Sequence, residues 1–134
     1  MSTKWYGSEI LANVRDALNR GVQTGARMVE TEGNRLMEDS PASGRTYVRS
    51  TGIHTASAPG EPPAVDSGEL INSSRVEDSP EEIKSSVIWQ APHAPYMEYG
   101  TQKIAPRPFA GPAVENKRSE IEDVITGEVR KVLK

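Results

Sequence analysis

A run of apolar residues at helical spacing, spread over positions 8–37, constrains this chain more than any other feature. Ile10, Leu11, Val14, Leu18, Val22, Gly25 with Ala26, Val29 and Leu36 follow the three-and-four spacing of one buried stripe. The pattern predicts a single helix over 8–37 with Ser8 as its N-cap. Asp39-Ser40-Pro41 ends it, because the residue before a proline is pushed out of helical geometry. Unbroken, such a helix is about 45 Å long, whereas a compact domain of this size has a radius of gyration of about 14 Å. Either the helix bends, with Gly21 and Gly25 as the candidate positions, or it projects beyond its own domain and needs a neighbour to cover it. The two glycines also permit a close backbone approach, for which packing on a sheet is a sufficient reason.

Residues 39–67 are a different material. Pro41, Pro59, Pro62 and Pro63 fall here among several glycines and serines, and so long a stretch with little regular structure is unusual inside a compact domain. One hairpin is legible: Arg45-Thr-Tyr47-Val48-Arg49, a turn at Ser50-Thr51-Gly52, then Ile53-His-Thr55. Ala58-Pro59-Gly-Glu-Pro62-Pro63 should be stiff and extended, since each proline fixes its own φ and restricts its predecessor. The segment reads as an arm that orders on docking against a neighbouring protein, with Arg45, Tyr47, Val48, Ile53, Pro59, Pro62 and Pro63 as its partner-contacting residues.

Beyond the arm, Ser67-Gly-Glu-Leu-Ile-Asn72 suits a short helical turn capped by Asp66 or Ser67. Two strands follow, about 73–78 and 83–91, joined near Ser79-Pro80-Glu81-Glu82. Val87, Trp89 and Ala91 alternate as on a half-buried antiparallel strand. A last helix is predicted from Pro112 to Leu133, with Val114, Ile121, Val124, Ile125, Val129 and Val132 as its apolar stripe and proline at its first position. The expected fold is a single α+β domain over 1–134. A long N-terminal helix and a C-terminal helix pack on a small antiparallel sheet, with the proline- and glycine-rich arm inserted.

Aromatic residues make up only 5% of the chain, and Trp89, Tyr96, Tyr99 and Phe109 fall close together, so the best-anchored core is expected within 87–110. Trp5 and Tyr6 open the chain. With no cysteine, disulfides and thiolate metal sites are excluded. No apolar run approaches the ~20 residues that cross a bilayer, and Met1-Ser-Thr-Lys-Trp5 lacks the apolar stretch of a signal peptide. The chain is expected to be made in a cytoplasm. The net charge is -3, against the basic stripe of a protein held by DNA phosphates. Lys117, Arg118, Lys131 and Lys134 form the only basic row, and Glu120, Glu122 and Asp123 interrupt it.

Catalytic patterns are missing. His54 and His93 stand in unrelated contexts, and there is no two-histidine helical motif, phosphate loop or nucleophile elbow. No cofactor is expected. The informative segment is 93–113. Tyr96 and Tyr99, three apart, share a face of a helical turn. Gly100 can take the left-handed conformation that ends it. Pro106 and Pro108 hold Arg107 extended, and Phe109 anchors the start of the last helix. The residues describe a structural corner made of Tyr96, Glu98, Tyr99, Gly100, Thr101, Arg107, Pro108 and Phe109, whose purpose is to dock the last helix on the sheet. Within it, Glu98 and Arg107 are expected to pair, because an arginine held between prolines loses little entropy on meeting a carboxylate.

Tyr96-Met-Glu-Tyr-Gly-Thr101, followed by Arg107-Pro-Phe109 and Pro112-Ala113, resembles the signature of the head–tail joining or tail-completion proteins of long-tailed, lambda-like bacteriophages. That signature reads Tyr-x-x-Glu-Phe-Gly-Thr, a gap, then Arg-Pro-Phe and Pro-Ala, with Tyr99 here in place of the phenylalanine. Ser43-Gly-Arg-Thr-Tyr47, the stretch from His54 to Ala64, and Asp66-Ser-Gly-x-Leu70 are similar to the family's proline-rich arm and following turn. The resemblance implies a non-enzymatic virion protein of the neck, forming a homo-oligomeric ring, with hexamers expected from the tail's symmetry. Its implied partners are the head connector or stopper and the tail terminator or tail tube. DNA would pass through without being tightly bound, and assembly would take place in the host cytoplasm without a membrane. The alternative is a nucleic-acid-binding module around the DNA path.

Overall fold

The structure is a computed structural model that describes residues 7–49, 52–66 and 68–133. Trp5, Tyr6, the turn residues Ser50 and Thr51, the Ser67 cap and Lys134 lie outside the described residues. The fold is α+β, as the periodicities require. Its elements are α1 (Gly7–Glu38), β1 (Thr46–Arg49), β2 (Gly52–Thr55), α2 (Glu69–Asn72), β3 (Ser74–Ser79), β4 (Lys84–Trp89), α3 (Ala94–Tyr99) and α4 (Ala110–Val132).

Helix α1 is continuous, and α4 lies antiparallel beside it. A Cβ on Gly21 would sit 2.8 Å from Ile125 Cγ1 and 3.0 Å from Ile125 Cα, and one on Gly25 would sit 2.8 Å from Ile121 Cγ2. The two glycines therefore serve a helix–helix contact, not the helix–sheet contact the sequence suggested. Extending this register, α4 runs out near Val14. Ile10 and Leu11, placed in the buried stripe by spacing, are 50% and 70% exposed, so α1 projects past its partner. At the other end the seam passes through Gly33 and Met37, with Leu36 only half-buried.

The β3–β4 hairpin lies lengthwise on α1. Its register pairs Ser74 with Trp89 and Val76 with Val87, and the chain turns through a 3-10 turn at Pro80–Glu82. One face of β3 meets the helix: Asn34 Nδ2 donates to Ser74 Oγ at 3.2 Å, and Arg27 pairs with Asp78 at 3.5 Å. At the tip, Asn19 donates to the Pro80 carbonyl and Arg15 to that of Glu81. Val87 and Trp89 point to the same helical side. Gly33 admits the Trp89 ring, since a Cβ there would come within 2.6 Å of it. Trp89 Nε1 donates to Asn34 Oδ1 at 2.9 Å, which satisfies the indole's only donor. Met37, Leu70, Ala91, Ala94 and Phe109 form the main buried cluster. Trp89 meets Phe109 edge to face at 5.0 Å, the favoured geometry for two aromatic quadrupoles. Helix α4 thus leans on α1 and reaches the sheet through this aromatic pair.

The arm is more folded than its composition suggests. β1 and β2 form a separate two-stranded ribbon, Thr46 opposite Thr55 and Val48 opposite Ile53, and pack chiefly on each other. Its base is closed by Gly44 N–H to Ala56 O and Ala56 N–H to Arg45 O, and by Ser43 bonding the Glu61 carboxylate. The proline run is not a straight rod. Ala58–Glu61 is a turn in which Glu61 N–H reaches the Ala58 carbonyl and Gly60 takes φ 87°, a conformation that glycine adopts without a Cβ clash.

Among the described residues Glu32 is the buried acid, 4% exposed in the α1–α4 seam. Arg35 donates to both its oxygens at 2.6 and 3.0 Å, and Asn116 of α4 donates at 3.0 Å. The Arg35 contact outweighs burial and holds the carboxyl down at about 2. A carboxyl whose folded value lies below its unfolded one adds stability that is complete above the unfolded value. That stability is lost as pH falls through the folded one. Wild type should therefore exceed Glu32→Gln in melting temperature at pH 7, and the gap should close between pH 4.5 and about 2. A gap independent of pH would mean that the charge of Glu32 contributes nothing.

Candidate functional site

The corner predicted from sequence exists, with a different internal logic. α3 ends at Gly100, whose φ of 74° and ψ of 179° put it in a glycine-only extended region and not in the left-handed helical cap expected. A Cβ there would lie 2.8 Å from the Ile104 carbonyl and 2.9 Å from Pro106. Thr101 closes the next turn: its Oγ1 accepts from Lys103 and Ile104 N–H, and its own N–H donates to Ile104 O. Arg107 N–H donates to Met97 O at 2.6 Å and pins the loop to α3. Pro108 is half-buried and Phe109 fully buried, while Tyr96 and Tyr99 are exposed.

Glu98 does not pair with Arg107. Its carboxylate accepts from three backbone N–H groups, Phe109 at 2.8 Å, Ala110 at 3.0 Å and Gly111 at 2.8 Å. Those are the donors a helix leaves unpaired in its first turn, and the next residue, Pro112, has none to offer. Phe109 at the N-cap gives no side-chain cap, so Glu98 caps α4 from another helix and places a negative charge at its positive end. Three fixed donors outcompete one flexible guanidinium.

Arg107 instead faces a hollow of 190 Å³ between the arm, α2 and α3. Met37, Pro63 and Leu70 give it apolar walls, and His54, His93, Asp66 and Glu69 share its lining. The two histidines that look unrelated in sequence meet at one place. His54 Nδ1 stands 3.7 Å from Asp66, beyond hydrogen-bonding distance. Among the described residues no group of three or more histidine and acid side chains is arranged to hold a metal ion. Arg107 Nε is buried without a hydrogen-bond partner. Arg107→Met, which keeps the stem and removes the unpaired donor, should leave the melting temperature unchanged or raise it. A loss above ~1 kcal/mol would show that the guanidinium has a partner in solution. Pro63, placed on the arm's outer contact surface by sequence, is buried in this hollow; Pro59 is exposed and Pro62 half-buried.

A second concavity, an apolar groove of 320 Å³, runs between β4 and α4 with α1 as its floor. Val87 and Trp89 form one wall and Val114, Ile121 and Ile125 the other. Three cations of α4 are engaged on their own helix: Lys117 with Glu120, Arg118 with Glu115, and Lys131 with Glu128. That pattern describes a solvated face better than a phosphate-binding row. No helix among the described residues is long and apolar enough to cross a membrane. Comparison with protein-family models, with curated proteins and with solved structures returned no match.

Proposed function

We propose that the chain is a structural, non-enzymatic subunit of a bacteriophage neck that forms a ring and joins the head connector to the tail. The observation that carries this reading is where uncovered apolar surface lies. Val48 and Ile53 on the ribbon are 83% and 74% exposed, and Ile10 and Leu11 stand uncovered at the far end of α1. A chain that works by contact leaves such surface for its neighbours. The corner, whose signature resembles that of neck proteins, is absorbed in holding α3 to α4, and its carboxylate serves as a helix cap. DNA would pass through the ring without being gripped, in keeping with the ion pairs that Lys117, Arg118 and Lys131 make on α4.

The test is genetic. Interrupting the gene in the phage or prophage that carries it should leave filled heads and separate tails, and wild-type protein supplied in trans should join them. A chain lacking 45–58 should fold, retain its helical circular dichroism and fail to restore joining. Infectious particles at normal yield from the interrupted gene would overturn the proposal.

A further inference from the structure

The ribbon and the groove are two halves of one contact. Two-stranded sheets are marginal alone in water, and the described residues form two of them that do not pair with each other. β4 has β3 on one edge and no strand on the other among the described residues, and it is the strand that borders the groove. The groove is walled by Val87, Val114 and Ile121. Because side chains alternate across a strand, the cross-strand pair Val48–Ile53 shares one ribbon face with Thr46 and Thr55. Both apolar members of that face are exposed, so the ribbon does not fill its own chain's groove. The charges are complementary as well. Residues 44–56 carry Arg45 and Arg49 and no acid, whereas 74–84, which include β4's partner strand, carry four acids against two cations. Residues 110–125 of α4 carry the same ratio.

We propose that the ribbon of one copy docks in the groove of a second copy. There its outer edge continues the β3–β4 sheet into four strands, and its Val48–Ile53 face covers Val87, Val114 and Ile121. Addition of a strand to a free edge supplies main-chain hydrogen bonds, and the groove supplies specificity. The ribbon and the groove are different surfaces of one chain, so the contact is head-to-tail. Such a contact closes into a ring or runs on as a filament. This inference rests on the neck reading and names how its subunits join.

The absence of cysteine makes the test clean. Ile53→Cys mixed with Val114→Cys should form disulfide-linked dimers under mild oxidation at a yield at least tenfold above either variant alone. The chain carrying both should give a ladder of cross-linked multimers that reduction returns to 14.6 kDa. Val48→Glu/Ile53→Glu alters only exposed positions. It should keep the subunit's circular dichroism and reduce the mass measured by light scattering from an oligomer to a single chain. A wild-type chain that stays monomeric at every accessible concentration overturns the contact. So does an oligomer that survives Val48→Glu/Ile53→Glu, or cross-linking no better in the mixture than in the single variants. Head–tail joining in the gene-interruption assay is read separately, so loss of this contact with joining intact would leave the neck role standing.

Discussion

Phe109→Ala is expected to destabilise the fold by about 3–5 kcal/mol, the range for truncating a buried aromatic side chain. Phe109 is 2% exposed and is the largest side chain in the main buried cluster. It holds the edge of Trp89 and stands at the first residue before α4, so its loss opens a cavity where sheet, α3 and α4 meet. Urea denaturation followed by Trp fluorescence reports the change directly, because Trp89 borders the cavity. Phe109→Leu, which refills part of the space, should lose less. A Phe109→Ala variant within 1 kcal/mol of wild type would mean that the site collapses around the deletion, contrary to the rigid corner described.

Glu98→Ala is expected to cost about 2–4 kcal/mol without removing any apolar contact. It strands three donors at the start of α4, those of Phe109 and Ala110 being partly buried. It also removes a charge from the helix's positive end, worth about 0.3–1 kcal/mol by itself. Glu98→Gln keeps one acceptor oxygen in place and should fall between the two. Amide exchange gives a local check: the protons of Phe109, Ala110 and Gly111 should be slow in wild type and fast in Glu98→Ala, with the middle of α4 little changed. Equal exchange in both proteins would remove Glu98 from the capping role.

The parts of the fold that were legible in sequence are those whose signal is local. Helical spacing announced α1 and α4, alternation at Val87 and Trp89 announced β4, and the arm's hairpin was readable from its strand residues around a turn. Several misreadings turn on a partner that only the fold brings near. The sequence points Glu98 at Arg107, which two prolines hold extended, yet its partners are backbone groups that assemble only when α4 docks. His54 and His93 converge because the arm folds back over α2 and α3, an arrangement no spacing encodes. Glu32 does carry a local signal. It falls three residues after Val29 on the buried seam, where an acid must find partners, and Arg35 and Asn116 are those partners. Ile10 and Leu11 show the reverse error, since periodicity reports which face is apolar and not where the covering element stops.

The antiparallel match of α1 with α4 has a consequence for synthesis. Gly21 and Ile125, in contact in the fold, are about a hundred residues apart, so this is a topology of high contact order. At about 5–20 residues per second, α1 leaves the ribosome roughly 5–20 s before α4. In that interval its thirty-residue apolar stripe has only itself and, later, the β3–β4 hairpin for cover. Neighbouring nascent chains on one message carry the same stripe, ready to pair with each other. The moment of greatest hazard for this protein is thus its translation, and a trigger-type chaperone at the exit tunnel should raise its yield more than any factor acting on the finished chain.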